Sequence, residues 1–184
     1  MNLLASSGQL RASFMRWALV CVPVVLLLGF LSGTLAQSGP RNPWFAALEK
    51  PALYPPPATF GIVWTLLYIL MGLALALVLS ARGASGRRLA VVLFVAQFVV
   101  NLAWSPVFFG MHQMTIGLGV LAILDVLVLL TILRFWRVRS RAALLLLPYL
   151  AWIAFATYLN FAFLQANPQM DGAPSSGAQF RYQI

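Results

Sequence analysis

Three groups of side chains recur at helical spacing in a chain that is otherwise mostly aliphatic. Trp64, Tyr68 and Met71 stand at i, i+4 and i+7, a spacing that puts them on one face of a helix. Gln97, Asn101, Trp104 and Phe108 form a second such stripe, and Trp152, Ala156, Asn160 and Phe163 a third. Indole and phenol rings bring flat apolar area with one polar edge each. Amides within a bilayer are costly unless they pair or line a cavity, so Gln97, Asn101 and Asn160 are expected to face inward. Trp104 and Trp152 share their stripes and should follow them. Such an interior suits a flat apolar ligand with polar edges, such as a tetrapyrrole or a sterol. The same residues also fit a plainer arrangement, in which tryptophans form an interfacial belt and amides join neighbouring helices. Trp17 and Trp136, each bordering an arginine, fit the belt.

Reactive chemistry is sparse. With three acids, one histidine and one cysteine, there is no paired carboxylate, no Cys/His dyad and no metal-ligand spacing. Asp125 is the one acid inside an apolar run and is expected to bond a neighbouring helix in its protonated form. A proton or cation site there is the sharper alternative, and a proton-coupled exporter using Asp125 follows from it. His112 lies in a short turn and is expected to be a solvated or interfacial side chain, with axial ligation of a haem as the weaker reading. Cys21 has no partner and should be a small buried hydrophobe.

These stripes need elements to hold them, and composition says which. Of 184 residues, 62% are hydrophobic and 8% charged, with a mean hydropathy of +0.91. A soluble domain carries about a quarter charged residues. The apolar excess falls into five runs, at about 17–36, 60–80, 89–110, 114–133 and 142–165. Each is close to the roughly 20 residues that cross a hydrocarbon core. A soluble enzyme, a disordered tail and a secreted disulfide scaffold are excluded, and the chain reads as an all-α integral membrane protein. Lipid offers no hydrogen-bond partners, so each run must be a helix. The net charge of +9 is no nucleic-acid footprint, because the bases sit between the spans.

Nine of the twelve bases fall on one side of the alternating spans: Arg11, Arg16, Arg82, Arg87, Arg88, Arg134, Arg137, Arg139 and Arg141. The positive-inside rule places that side, and the N-terminus, in the cytoplasm and the C-terminus outside. A bacterial cell membrane is the expected location. The first run also resembles a signal peptide ending at Ala36, but its length and the Gly29-x-x-x-Gly33 spacing favour a retained, closely packed helix. Residues 1–16 are expected to be a cytoplasmic segment, 17–167 the membrane domain and 168–184 a flexible tail. Between the first two helices, 37–59 contains six prolines together with Trp44, Phe45, Leu48, Leu53 and Tyr54. A long apolar-rich loop of this kind is usually functional, for example a lid. Pro106 and Pro148 are expected to kink their helices and widen a cavity.

The loop and the stripes together resemble the tryptophan-rich sensory protein family, TspO/MBR, which includes the mitochondrial translocator proteins. The likeness is carried by Pro43-Trp44-Phe45-Ala46-Ala47-Leu48-Glu49-Lys50-Pro51, Tyr54-Pro55-Pro56 and Val63-Trp64-Thr65-Leu66-Leu67-Tyr68. It continues through Asn101-Leu102-Ala103-Trp104-Ser105-Pro106 and Pro148-Tyr149-Leu150-Ala151-Trp152 to Leu159-Asn160. It spans about 44–167, and more weakly the first helix.

The resemblance implies a five-helix bundle, often a homodimer, with a ligand cavity closed by the first loop. It implies binding of porphyrin, haem, cholesterol and synthetic isoquinoline carboxamides or benzodiazepines, as ligands and not as resident cofactors. Carried over by position, Trp64, Asn101, Trp104, Trp152, Ala156 and Leu159 correspond to cavity-lining residues, and Trp44 and Pro55 to the loop; Tyr68 extends the Trp64 stripe. The expected function is transport or sensing of tetrapyrroles, with light-dependent porphyrin degradation by the cavity tryptophans as the alternative. Two departures stand out. The cholesterol motif near Leu159 is incomplete, with Phe161 and Gln165 in place of its tyrosine and base. Ile116 replaces a tryptophan that lines the cavity in mammalian members.

Overall fold

A computed structural model describes residues 7–173, and no strand occurs among them. Five long helices carry the chain: α1 (Ser7–Leu35), α3 (Pro57–Ser80), α4 (Arg87–Ser105, continued as a π-turn over Pro106–Gly110), α5 (Met114–Val138) and α6 (Ser140–Ala166). A five-residue helix, α2 (Pro43–Ala47), lies in the long loop between α1 and α3. All five long elements are long and apolar enough to cross a membrane, and together they make the expected five-helix bundle. Around the bundle the order is α1, α3, α6, α5, α4 and back to α1.

The helices outrun the apolar segments that announce them. α1 begins at Ser7, ten residues ahead of the expected start, so part of the segment expected before the membrane is already helix. Its 29 residues extend about 44 Å at 1.5 Å per residue, beyond a hydrocarbon core of about 30 Å. The polar turns carrying Arg11 and Arg16 can therefore be helical outside the lipid. α5 likewise runs on to Val138, and only Arg139, in extended backbone, separates it from α6. Where a sharp turn is required, glycine supplies it: Gly83 and Gly86 both have φ of 77°, with Gly86 as the N-cap of α4.

Close packing of α1 on α3 depends on two glycines. A side chain at Gly72 would lie 2.6 Å from the Val22 Cα, and one at Gly29 would overlap the Tyr68 ring. Gly33, the partner of Gly29 in the expected packing motif, has only the Ser38 hydroxyl nearby, at 3.9 Å. Cys21 is buried, as expected.

Pro106 interrupts α4 as its missing N–H requires. The carbonyl of Leu102, four residues earlier, loses its helical donor, and the Ser32 hydroxyl of α1 donates to it at 2.6 Å. The chain then follows a π-turn, in which Met111 N–H donates to Pro106 O at 2.8 Å. This turn buries both Phe108 and Phe109. Pro148 stays inside a continuous α6.

Residues 168–173, expected to be part of a flexible tail, are built into the structure; 174–184, with Arg181, lie outside the described residues. Asp171 is the reason. α5 has no side-chain cap of its own at Gln113, and Asp171 Oδ1 instead accepts from Met114 N at 2.5 Å and Thr115 N at 3.2 Å. Its other oxygen accepts from the Thr115 hydroxyl. A carboxylate at a helix N-terminus satisfies orphan donors and favours the macrodipole. Asp171→Ala is expected to lower stability by about 1 kcal/mol, read as a lower melting temperature in detergent; an unchanged melt would show the cap to be idle.

Candidate functional site

The helix ends on the side of α2 enclose a cavity of about 410 Å³, within the range of roughly 300–1,000 Å³ typical of small-molecule sites. The stripes meet there. Trp64 and Tyr68 from α3, Asn101 and Trp104 from α4, and Trp152, Ala156 and Leu159 from α6 all line it. Its floor is set by Leu121 and Leu124 of α5 together with Ile153. Trp64 lies 5.1 Å from Tyr68 between ring centroids, and Trp104 stacks on Phe108 at 5.0 Å.

The three inward amides are buried, each with a partner. Asn101 Oδ1 accepts from the Tyr68 hydroxyl at 3.3 Å. Asn160 Oδ1 accepts from Trp104 Nε1 at 3.3 Å, while its Nδ2 donates to Met114 O at 2.8 Å. Gln97 Oε1 accepts from the Tyr149 hydroxyl at 3.0 Å, but Gln97 does not reach the cavity wall. So Asn101 and Asn160 do both things expected of membrane amides: they join helices and they line the pocket. By contrast the indole N–H groups of Trp64 and Trp152 have no hydrogen-bond partner among the described residues, yet neither is sealed from open space. Both N–H groups are thus unpaired donors on residues that line the cavity.

Two expected site residues lie elsewhere. Pro55 is off the wall, although its neighbours Tyr54 and Pro57 are on it. Trp44 is fully buried behind the wall. Its Nε1 donates to Met170 O at 3.1 Å, and its ring stacks on His112 at 4.7 Å with an interplanar angle of 17°. His112 lies in the short turn where it was expected, half-buried in left-handed backbone (φ 59°) with Nδ1 3.0 Å from Ala173 O. Trp44 is an anchor of the loop and not a wall of the pocket.

The rest of the loop is fastened with similar economy. Asn42 caps α2 by accepting from Phe45 N at 3.1 Å and donates to Phe109 O at 3.1 Å. Asn167 imitates a strand partner: Glu49 N donates to its Oδ1 at 2.7 Å and its Nδ2 donates to Glu49 O at 3.0 Å. Lys50 Nζ donates to the carbonyls of Phe45 and Leu48 at 2.6 and 2.7 Å and sits 4.6 Å above the Phe45 ring. Partial burial there lowers the Lys50 ammonium below its ordinary pKa and raises that of the Tyr54 phenol. Tyr54 stacks on Phe60 at 5.5 Å, which in turn meets Trp152 at 5.8 Å, closing the wall beneath the loop.

Sequence reasoning read Phe45 and Tyr54 only as part of a lid and missed Phe60 and the contribution of α1. For Phe60 the signal was present, since it stands four residues before Trp64 and extends that stripe backwards. Phe30, Gly33 and Thr34 of α1 also line the cavity at i, i+3 and i+4, but no amide or indole marked that face. Ile116 is 55% exposed and does not line the cavity; its buried neighbour Gly117 packs on the Asn160 and Trp104 side chains behind the wall, where an added Cβ would lie 3.1 Å from Asn160 Oδ1. Phe161 and Gln165 face outward too. Asp125 pairs across helices as expected, with the Thr157 hydroxyl donating to Oδ2 at 2.8 Å; it is not on the cavity wall.

The sequence model of the TspO/MBR family matches residues 21–165. The chain is 43% identical over 150 residues to the tryptophan-rich protein TspO of Chlorobaculum tepidum, covering 81% of this chain and 94% of that one. To the tryptophan-rich protein TspO of Archaeoglobus fulgidus it is 40% identical over 143 residues, covering 78% and 92%. To the human translocator protein it is 37% identical over 142 residues, covering 76% and 84%. A match that begins in α1, ends in α6 and takes in every wall of the cavity leaves one conclusion: the chain belongs to the TspO/MBR family and is an integral, multi-pass membrane protein.

Proposed function

We propose that this protein binds porphyrin- or haem-like tetrapyrroles inside the bundle and acts in their transport or sensing. The observation that carries the reading is the aromatic cavity of about 410 Å³, on which Trp64 and Trp152 keep unpaired indole N–H groups. A flat macrocycle gains ring stacking on such walls and hydrogen bonds at its edge. The distribution of arginines supports an orientation with the N-terminus in the cytoplasm.

Protoporphyrin IX added to the purified protein is expected to quench tryptophan fluorescence saturably. Trp152→Ala removes a wall ring and a donor, and Asn101→Ala removes the acceptor that orients Tyr68. Each is expected to weaken binding about tenfold, or about 1.4 kcal/mol. Unchanged affinity in both variants would overturn the site.

A further inference from the structure

The cavity wall is not equally closed all round. Six of its lining residues are exposed: Phe30, Thr34, Ser38, Pro40, Pro57 and Gly61. Every one belongs to the last turns of α1, the chain just after it, or the first turns of α3. None of the residues that α4, the π-turn, α5 and α6 contribute to the wall is exposed. The opening therefore lies between α1 and α3.

Its shape follows from the packing of those two helices. They are in closest contact where Gly72 meets Val22 and Gly29 meets Tyr68, and beyond that they stop filling the space between them. A side chain at Gly33 would find only Ser38, at 3.9 Å, and one at Gly61 would find nothing within 4 Å. Phe30 is five residues short of the α1 terminus at Leu35, and Gly61 four residues past the α3 start at Pro57. At 1.5 Å per residue the gap reaches about 6–8 Å below the helix ends. It thus straddles the boundary between acyl chains and headgroups, while α2 and its anchors cover the cavity from above.

We infer that the cavity is loaded sideways from the bilayer interface, through a mouth between α1 and α3 framed by Phe30, Thr34 and Gly61. The ligand class this admits is an amphipathic molecule that first partitions into the interface, its apolar body entering the gap while its polar edge stays near the headgroups. The loop need not open for entry. The inference rests on the tetrapyrrole reading only for the identity of the guest.

Gly61→Phe tests it, because the site has room for the ring without disturbing the fold. In vesicles, both association and dissociation of protoporphyrin IX are expected to be about tenfold slower in Gly61→Phe, since a narrowed mouth acts on both rates. Ile62→Phe, beside it on the exposed outer surface, should behave as wild type. A second measurement needs no porphyrin. In a Trp17→Phe/Trp136→Phe background, phospholipids brominated on their acyl chains should quench the remaining tryptophans, and Gly61→Phe should reduce that quenching. Unaltered association and unaltered quenching in Gly61→Phe would each overturn the mouth. Failure of wild type to bind protoporphyrin at all would instead overturn the tetrapyrrole reading, and bromolipid quenching would then decide the mouth alone.

Discussion

Trp44→Ala is expected to detach the loop between α1 and α3 while leaving the five-helix bundle assembled. The indole is fully buried and holds three elements at once. It hydrogen-bonds Met170 of the C-terminal segment, stacks on His112 in the α4–α5 turn, and meets Phe108 edge-on at 5.5 Å. Truncating a buried tryptophan costs about 3–5 kcal/mol. That cost falls on loop docking first, because Trp44 touches no residue in the lower half of the bundle, and local opening needs less free energy than global unfolding. Limited proteolysis should therefore cut within 37–56 at protease levels that leave wild type intact, with helical content by circular dichroism preserved. Trp44→Phe keeps much of the packing and loses one hydrogen bond, about 1 kcal/mol, so its loop should be cut at an intermediate rate. A Trp44→Ala protein whose loop stays as resistant as wild type would show that the remaining Asn42 and Asn167 tethers suffice.

The roles of Trp44 and of residues 168–173 were not legible in sequence, and for one reason. Both depend on partners distant in the chain, and neither segment has a period that names a face. Composition made 168–173 look like a tail, because Pro168, Asp171 and Gly172 favour turns; only the uncapped α5 N-terminus explains why Asp171 is held. The spans were legible because length and hydropathy are local properties. The walls from α3, α4 and α6 were legible because an amide or indole every third or fourth residue marks one side of a helix. α1 carried no such mark. Its lining positions, Phe30, Gly33 and Thr34, carry no amide or indole, and the small hydroxyls of Ser32 and Thr34 can bond within or between helices without marking a cavity. Ile116 shows the same limit in reverse: one residue of helical rotation, about 100°, separates it from Gly117, the buried position that packs on Asn160 and Trp104.

Gly72→Leu is expected to be the most damaging single change in the membrane-embedded part of the bundle. The nearest atoms to a new side chain would be the Val22 Cα at 2.6 Å and its backbone nitrogen and Cγ2 at 2.9 Å. Backbone in a helix cannot rotate aside as a side chain can, so α1 must move off α3 bodily. Overpacking a well-filled site costs about 1–3 kcal/mol and more where the wall cannot yield. In lipid no hydrophobic effect drives helices back together, so their association rests on this close fit. The displacement also carries Gly29 away from the Tyr68 ring, loosening the residue that hydrogen-bonds Asn101. Thermal or SDS-titrated unfolding should show a stability loss above 2 kcal/mol, together with weakened protoporphyrin binding. Gly61→Ala is the matched control: its methyl group meets nothing within 4 Å, and alanine improves helix propensity by up to about 1 kcal/mol. It should be neutral or stabilising. Equal stability of Gly72→Leu and wild type would mean that α1 is not held by this crossing, and the tapering gap above it would lose its structural cause.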